Sequence, residues 1–453
     1  ILIAAAHKSS GKTVVSAGLV AALQAAGTAV QCFKKGPDYI DPMWLAAASG
    51  RPCYNLDFNT MTGDELRRLL ADRSEGADLA LIEANKGLYD GVDLAGCDSN
   101  AALAKALKTP VVLVIDTVGM TRGIAPLLLG YQSFDPKVNI AGVILNKVGG
   151  ARHEAKLRAA VQAYSDIAVI GAVWRHGELE IGERHLGLTT PAETGGLGPM
   201  MQSWGRIIGE AVDLDALRTI AAGAPRLVAP PAPPAPSASQ PGFAGIRIAI
   251  ARDAAFGFYY PDDLEEFARL GVELIPFDAL TASRLPKAHG LFIGGGFPEI
   301  QKAALAKNAS LRADIRAAIQ GGLPAYAECG GAMYLCRSLS WRDERHDMCG
   351  VIDADAVMHE RPQGRGYTAY KASAGHPWGA PGEMAGHEFH YASFENLRAG
   401  TRFAHQVLRG HGIDGSHDAI VLHNLVAGFG HLRNSTANPW VARFLSFVKA
   451  CRA

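Results

Sequence analysis

Short runs dominated by apolar residues recur through the first half of the chain: Ile1–Ala6, Val30–Lys34, Leu79–Glu83, Val111–Asp116, Ile140–Asn146 and Ile167–Ala172. Runs of this kind, without polar alternation, predict strands buried on both faces, as in a parallel sheet. Between them lie helix-like stretches: Thr13–Ala26, Gly63–Arg73, Asn100–Lys108, Thr121–Tyr131 and Glu154–Tyr164. The alternation predicts a doubly wound α/β domain whose ligands gather at the carboxyl ends of the strands. The second half opens similarly. It has strands at Ile246–Ala251, Glu273–Pro276, Gly290–Ile293 and Pro324–Ala327, and a helix at Tyr260–Leu270. From Val351 the pattern changes to short strands rich in Gly and His, then a closing helix at Pro439–Ala450. Between the halves, Ala224 to Gly242 carries proline at a density that no helix or central strand tolerates. The expected organisation is a domain at 1–223, a linker at 224–243 and a second α/β domain at 244–453, without internal repeats.

Composition narrows the functional classes. The chain has 453 residues, 48% hydrophobic and 19% charged, enough for large cores. The formal net charge is zero, so no global field recruits nucleic acid, and an anionic substrate must meet local basic groups. No apolar run reaches the ~18 residues of a membrane span, and the first run is too short for a secretory signal. Seven cysteines without a C-x-x-C pair point to a reducing cytoplasm.

The first strand runs into A-H-K-S-S-G-K-T at Ala6–Thr13. Loop N–H groups and the helix start can cradle phosphates, with Lys12 reaching the terminal phosphates and Thr13 ligating Mg²⁺. Ala6 stands where the usual motif has its first Gly. Lys8 adds a second lysine inside the loop, as in deviant P-loop ATPases. Lys8, Ser9, Ser10, Gly11, Lys12 and Thr13 are therefore the candidate ATP ligands. Four further strand ends carry chemistry. Lys34–Pro42, K-K-G-P-D-Y-I-D-P, places Asp38 and Asp41 in a loop held by Gly and Pro, where they can meet Mg²⁺ or an ATP-linked group, while the lysines meet phosphate or substrate carboxylates. Glu83 ends a buried strand, where P-loop proteins hold Mg²⁺ or its water. Asp116 is a weaker candidate of the same kind, and Asn146 can read an adenine edge or merely form a turn.

In the second half, P-A-Y-A-E-C-G-G-A-M at Pro324–Met333 reads as strand, sharp turn and helix. That layout puts Cys329 on a nucleophile elbow at a helix start, where thiolates are favoured. Glu328 and the glycine pair argue against simple burial of the thiol. Gly294-Gly295-Gly296 can expose N–H groups to a developing oxyanion. The base must be a histidine, but spacing alone does not choose among His387, His390, His405, His411, His417, His423 and His431. No H-E-x-x-H or Cys/His ligand spacing suggests zinc.

Taken together, these motifs resemble the cobyrinic acid a,c-diamide synthase family, ATP- and glutamine-dependent amidotransferases that amidate tetrapyrrole carboxylates. The resemblance spans nearly the whole chain. Beyond the motifs above it includes G-R-P-C-Y-N-L-D at Gly50–Asp57, G-L-Y-D-G at Gly87–Gly91, E-R-H-L-G-L at Glu183–Leu188, G-H-E-F-H-Y at Gly386–Tyr391 and G-H-L-R-N-S at Gly430–Ser435. It implies an N-terminal ATPase-like domain and a C-terminal class I glutaminase domain. Cys329 would attack L-glutamine with His431 as base, and no third, acidic member is expected. Asp38, Asp41, Glu83 and Asp90 match acids used for ATP, Mg²⁺ and the activated carboxylate, and Tyr39 and Ile40 match substrate contacts. Family members are often dimers, which leaves a homodimer open. Two departures bear on the substrate. Lys86 replaces an apolar residue beside the expected substrate pocket, and Arg433 replaces the second His of H-L-H-F. They tilt the expectation towards siroheme over a corrinoid precursor. Other readings are a regulatory or metal-insertion P-loop ATPase with a non-functional glutaminase, and amidotransfer to a non-tetrapyrrole acid.

Overall fold

A computed structural model describes residues 1–184, 187–226, 228–231, 242–379 and 382–452. His185 and Leu186 of the E-R-H-L-G-L motif, and most of the proline-rich linker, lie outside the described residues. The chain forms two compact units, Ile1–Pro233 and Pro234–Ala453. No helix among the described residues is long and apolar enough to cross a membrane.

In the first unit the elements run β1 (Leu2–Ala5), α1 (Lys12–Ala25), β2 (Val30–Lys35), α2 (Ile40–Ser49), β3 (Tyr54–Leu56), α3 (Gly63–Arg73), β4 (Leu79–Glu83), α4 (Asn100–Leu107), β5 (Val111–Asp116), α5 (Ile124–Phe134), β6 (Ile140–Val148), α6 (Ala151–Tyr164) and β7 (Val169–Trp174). A two-strand ribbon β8 (Glu183–Arg184) and β9 (Gly187–Leu188) and helices α7 (Leu197–Ala211) and α8 (Leu214–Ala222) complete it. The seven strands β3-β2-β4-β1-β5-β6-β7 form one sheet, parallel at every pairing. The apolar runs do form its strands, because helices cover both faces. One core cluster gathers Leu2, Phe33, Ile82 and Leu113, and another gathers Ile3, Leu81, Val112 and Ile144. Adjacent residues of one strand thus point to opposite cores. The stretch expected as a Gly/Pro-held loop at residues 36–42 is partly helix: α2 starts at Ile40. Pro42 fits because its missing N–H falls within the first turn, where no intrahelical partner exists.

The second unit begins with β10 (Arg247–Ala251), β11 (Phe256–Phe258), α9 (Pro261–Arg269), β12 (Glu273–Phe277), β13 (Gly290–Ile293), β14 (Gly295–Gly296), α10 (Lys302–Lys307), α11 (Ala309–Gln320), β15 (Ala325–Glu328) and α12 (Gly330–Leu335). Strands follow at β16 (Cys336–Trp341), β17 (Glu344–Asp347), β18 (Ile352–Met358), β19 (Gly364–Ala372), β20 (Glu383–His390), β21 (Ala392–Glu395), β22 (Arg402–Arg409), β23 (His417–Leu422), β24 (Leu425–Gly428) and β25 (His431–Leu432), before α13 (Trp440–Ala450). Its main sheet has the order β12-β10-β13-β15-β24-β23-β22-β19-β20-β25. β15 lies between β13 and β24, parallel to both. Its carboxyl end is therefore flanked by the Gly294–Gly296 turn and by the Gly428–His431 turn.

Candidate active site

The first site is built around the turn from β1 into α1. Gly11 caps α1 with φ +82°, and a methyl group there would lie 2.4 Å from Asn146 Nδ2. Only glycine fits both the backbone and the space. The loop's carbonyls are clamped. Asn146 Nδ2 donates to Ser10 O (2.9 Å), Lys147 Nζ to Ser9 O (3.1 Å), Tyr131 Oη to Ala6 O (2.6 Å), and Ser10 Oγ to His7 O (2.8 Å). The first-turn N–H groups of α1 are those an anion would meet. Asn146, left open by the sequence between reading an adenine edge and forming a turn, holds the loop through its amide nitrogen. Lys147 also pairs with Asp116 (2.9 Å). Lys8 and Ser9 are exposed.

Lys12 is buried, and its ammonium donates to Lys86 O (2.8 Å). Burial, reinforced by the nearby Lys34 charge, lowers its pKa to about 8. A depressed lysine is charged below that value and neutral above it. MgATP affinity is therefore expected to fall as pH rises beyond about 8 in the parent. Lys12→Met should bind weakly and without that step. A titration series with a fluorescent ATP analogue from pH 6.5 to 9.5 checks this, and a parent profile without the step would assign phosphate binding to other groups.

The acids converge on one buried lysine. Lys34 Nζ donates to Asp41 Oδ2 (2.5 Å) and Glu83 Oε1 (2.7 Å), with Asp38 at 3.9 Å. Burial works to lower the Lys34 pKa, but the Asp41, Glu83 and Asp38 carboxylates outweigh it and hold the ammonium charged. Lys34 thus neutralises carboxylates, where the sequence offered phosphate or substrate as its partner. Asp38 Oδ1 accepts from the N–H groups of Ile40 (2.9 Å) and Asp41 (3.2 Å), which braces the start of α2. Tyr39 is buried just before α2, and Ile40 is half-buried.

Thr13 Oγ1 donates to Glu83 Oε1 (3.1 Å), while Glu83 Oε2 is buried without a hydrogen-bond partner. A partnerless buried carboxylate oxygen beside the threonine of a phosphate loop fits Mg²⁺, which typically takes one or two carboxylates together with phosphates and water. Thr13, Glu83 and Asp38 are the residues that would hold it. Among the described residues no group of three or more His, Cys, Asp or Glu could hold a metal unaided, so such an ion would depend on nucleotide phosphates. Asp90 is exposed, and its Oδ2 accepts from Gly87 N (2.9 Å). Lys86 is exposed with φ +41°, next to this turn.

The second site lies at the end of β15. Cys329 has φ +47° and ψ −107°, a strained conformation for a residue with a Cβ. Its N–H donates to Gly428 O (2.7 Å), which ties the elbow to β24. A methyl group at Gly331 would lie 2.3 Å from Ile293 O, and one at Gly330 2.8 Å from Pro298 Cδ. The glycine pair therefore lets α12 start tight against the β13–β14 turn. Gly294 N–H is taken by Tyr259 Oη (2.9 Å). Gly295 abuts the imidazole, a methyl group there falling 2.6 Å from His431 Cε1. Gly296 has φ +158° and is packed against Ala255 O. Gly295 and Gly296 thus lie beside the Cys329–His431 pair.

His431 is the histidine brought to Cys329. Burial acts to lower its pKa, but hydrogen bonds to Cys329 and Glu328 outweigh it and raise the value to about 10. The His387 ring stacks on it at 4.8 Å, and burial followed by the His431 and Arg433 charges pushes His387 far below the usual range. Glu328, expected to keep the thiol exposed, is itself buried, as is Cys329 (3% and 7% exposed). Glu328 Oε2 lies 3.4 Å from His431 Nδ1. The sequence reading assigned no acid to this site, and the only signal was adjacency to Cys329. Arg433, read as a departure bearing on which substrate is used, is buried, bonded to Asp262 (2.6 Å) and laid over the Tyr260 ring (4.9 Å). Its role is to lock α9 to β25.

A phosphate-loop unit joined in one chain to a Cys-His elbow unit defines a glutamine amidotransferase coupled to a nucleotide-binding domain. Residues 1–188 match the CobQ/CobB/MinD/ParA nucleotide binding domain, and residues 247–438 the CobB/CobQ-like glutamine amidotransferase domain. The chain is 44% identical to the cobyrinate a,c-diamide synthase of Magnetococcus marinus, over 98% of its own length and 96% of that protein. Identity is 40% to the synthase of Listeria monocytogenes serotype 4b (87% of each chain) and 37% to that of Methanosarcina acetivorans (95% of this chain, 92% of the other). The chain belongs to the cobyrinate a,c-diamide synthase family and is a glutamine-dependent carbon–nitrogen ligase.

Proposed function

We propose that the chain amidates peripheral carboxylates of a tetrapyrrole, cobyrinate foremost, at the expense of ATP and L-glutamine. The observation that carries this reading is His431 brought beside Cys329 on a strained elbow, in a chain that also holds the Lys12, Thr13 and Glu83 cradle. Cys329 Sγ attacks the glutamine amide carbon. The C–S bond forms, the C–N bond breaks, and ammonia leaves with a proton from His431. Water then cleaves the thioester to glutamate. In the first unit the γ-phosphoryl of ATP passes to a substrate carboxylate, giving ADP and an acyl phosphate; ammonia attacks the acyl carbon, the C–N bond forms, and phosphate leaves. Lys12 and the loop N–H groups stabilise the transferred charge. Bound Mg²⁺ would neutralise phosphate charge there. Ammonia reaches the acyl phosphate without equilibrating with water, which at neutral pH would protonate it to non-nucleophilic ammonium.

The relatives' names support a corrinoid precursor over siroheme. Arg433 is locked inside the glutaminase unit, so of the two departures only Lys86 still favours the siroheme reading. Visible-absorbance titration with cobyrinate and with siroheme, followed by glutamate and ADP release, tests the assignment. Cobyrinate is expected to bind and to stimulate both releases. Siroheme alone doing so would overturn the substrate. ATP hydrolysis without glutamate release under any condition would favour a regulatory ATPase.

A further inference from the structure

A cysteine–histidine pair needs a third group to fix the imidazole's orientation and to balance its positive charge. The second unit holds one that the family resemblance did not provide. Glu328 precedes Cys329 at the end of β15, and its side chain reaches back to the histidine on β25. Its Oε2 lies 3.4 Å from His431 Nδ1. Its Oε1 is held from two sides, by the Tyr326 hydroxyl (2.6 Å) and by the Leu432 N–H (3.0 Å). Both carboxylate oxygens are thus engaged, one by the histidine and the other by groups that stop the carboxylate from rotating away. Tyr326 is fixed in turn by stacking on Phe292 (5.4 Å) and by edge contact with Trp378 (4.9 Å).

The neighbouring acid has a different task. Asp418 accepts from the Phe429 and Gly430 N–H groups (3.0 and 2.8 Å), which shapes the turn that delivers His431. Asp262 and Asp263 are taken by Arg433 and by Asn434 and Trp440. Among the described residues, Cys329, Glu328 and the stacked His387, which burial keeps neutral, face the His431 imidazole.

We propose that Glu328 is the positioning carboxylate of the glutaminase, orienting His431 through Nδ1 and stabilising its imidazolium, with Tyr326 and the Leu432 N–H holding Glu328 in place. Position 433, two residues beyond the histidine, cannot serve, because Arg433 fills it with its own buried ion pair. The inference rests on the amidotransferase reading above. Glu328 touches neither glutamine nor the thioester carbon in this scheme and acts only through His431.

The test compares the parent, Glu328→Gln, Glu328→Asp and Tyr326→Phe as full-length proteins. Glu328→Gln keeps the shape and an oxygen for Leu432 N–H and Tyr326, but removes the charge. Glutaminase kcat is expected to fall about 100-fold or more, with KM for glutamine changed less than about threefold. The alkaline limb of the pH profile reports loss of the imidazolium proton. Without the carboxylate the imidazolium is less stable, so that limb moves to lower pH. Glu328→Asp should recover part of kcat, and amidation from high external ammonium should persist in every variant. A Glu328→Gln kcat within threefold of the parent, with an unmoved alkaline limb, would overturn the proposal. If Glu328→Gln does not fold, Tyr326→Phe decides. A kcat loss of about fivefold or more with the same shift supports the network, and an unchanged kcat and limb overturn it. Absence of glutaminase activity in the parent itself would instead overturn the amidotransferase reading.

Discussion

Replacing Cys329 by Ala is expected to abolish glutamine-supported amidation, by at least about 10³-fold, and to leave ammonium-supported amidation within about twofold of the parent. The first effect follows because no other sulfur can stand in. Cys336 and Cys349 of the same unit are buried, and burial raises both thiols above the usual range; Cys451, also in that unit, is exposed at the end of α13, outside the elbow that follows β15. The second follows because the substitution removes one sulfur atom from a site whose backbone is held by other groups: the Cys329 N–H on Gly428 O, and the glycine contacts of α12 with the β13–β14 turn. The conformation at residue 329 is as strained for Ala as for Cys, so the elbow gains no relief by moving. Rates with glutamine and with a high concentration of ammonium chloride at pH 8.5, measured side by side with MgATP and cobyrinate, give the ratio. If both rates vanish in a variant whose thermal transition is unchanged, the chemistry is not divided between a glutamine site and a carboxylate site.

The sequence exposed the layout of both units because each depends on local signals. Apolar runs such as Val111–Asp116 need no partner to be recognised as buried strands. Gly11-Lys12-Thr13 and Glu328-Cys329-Gly330 each lie within one strand–turn–helix transition. What escaped depends on distance along the chain. Lys34 and Glu83 are 49 residues apart and meet because β2 and β4 are adjacent parallel strands with Lys34 opposite Glu83. No spacing rule encodes that pairing, so Lys34 looked available for phosphate. Glu328 and His431 meet because β15 ends where the Gly428–His431 turn passes, a consequence of β24 pairing beside β15. A glutamate next to a nucleophile reads as exposed until that turn supplies the histidine and the Leu432 N–H. Arg433 shows the converse: the substitution was visible, but its partner Asp262 lies 171 residues away. The helix at Ile40 was hidden by Pro42, whose usual meaning reverses in the first helical turn.

The same Lys34 network sets the second large effect. Lys34→Met preserves the length and apolar stem of the side chain while removing the ammonium that Glu83 and Asp41 share. Glu83 is fully buried and Lys34 nearly so (0% and 2% of side-chain area exposed). Breaking such a pair strands a charge in a low-dielectric setting, which costs about 3–5 kcal/mol. For a unit of this size, that corresponds to a fall of roughly 6–20 °C in the transition temperature. In calorimetry of the full chain, the transition that MgATP raises in the parent should drop accordingly. The other transition should stay in place, because the substitution lies wholly within the first unit. The pH dependence has a definite sign. In the parent, a lysine held above its unfolded value contributes stability throughout the range below that value. In Lys34→Met the buried carboxylates lack their cation and their folded pKa values rise, so stability declines as pH climbs beyond the unfolded carboxylate range near about 4. The deficit relative to the parent should therefore be larger at pH 8 than at pH 5, where protonation of the carboxylates offsets the missing charge. A transition within 2 °C of the parent at both pH values would show that water or local rearrangement neutralises the carboxylates, and that the buried lysine is not what holds β2, β4 and the start of α2 together.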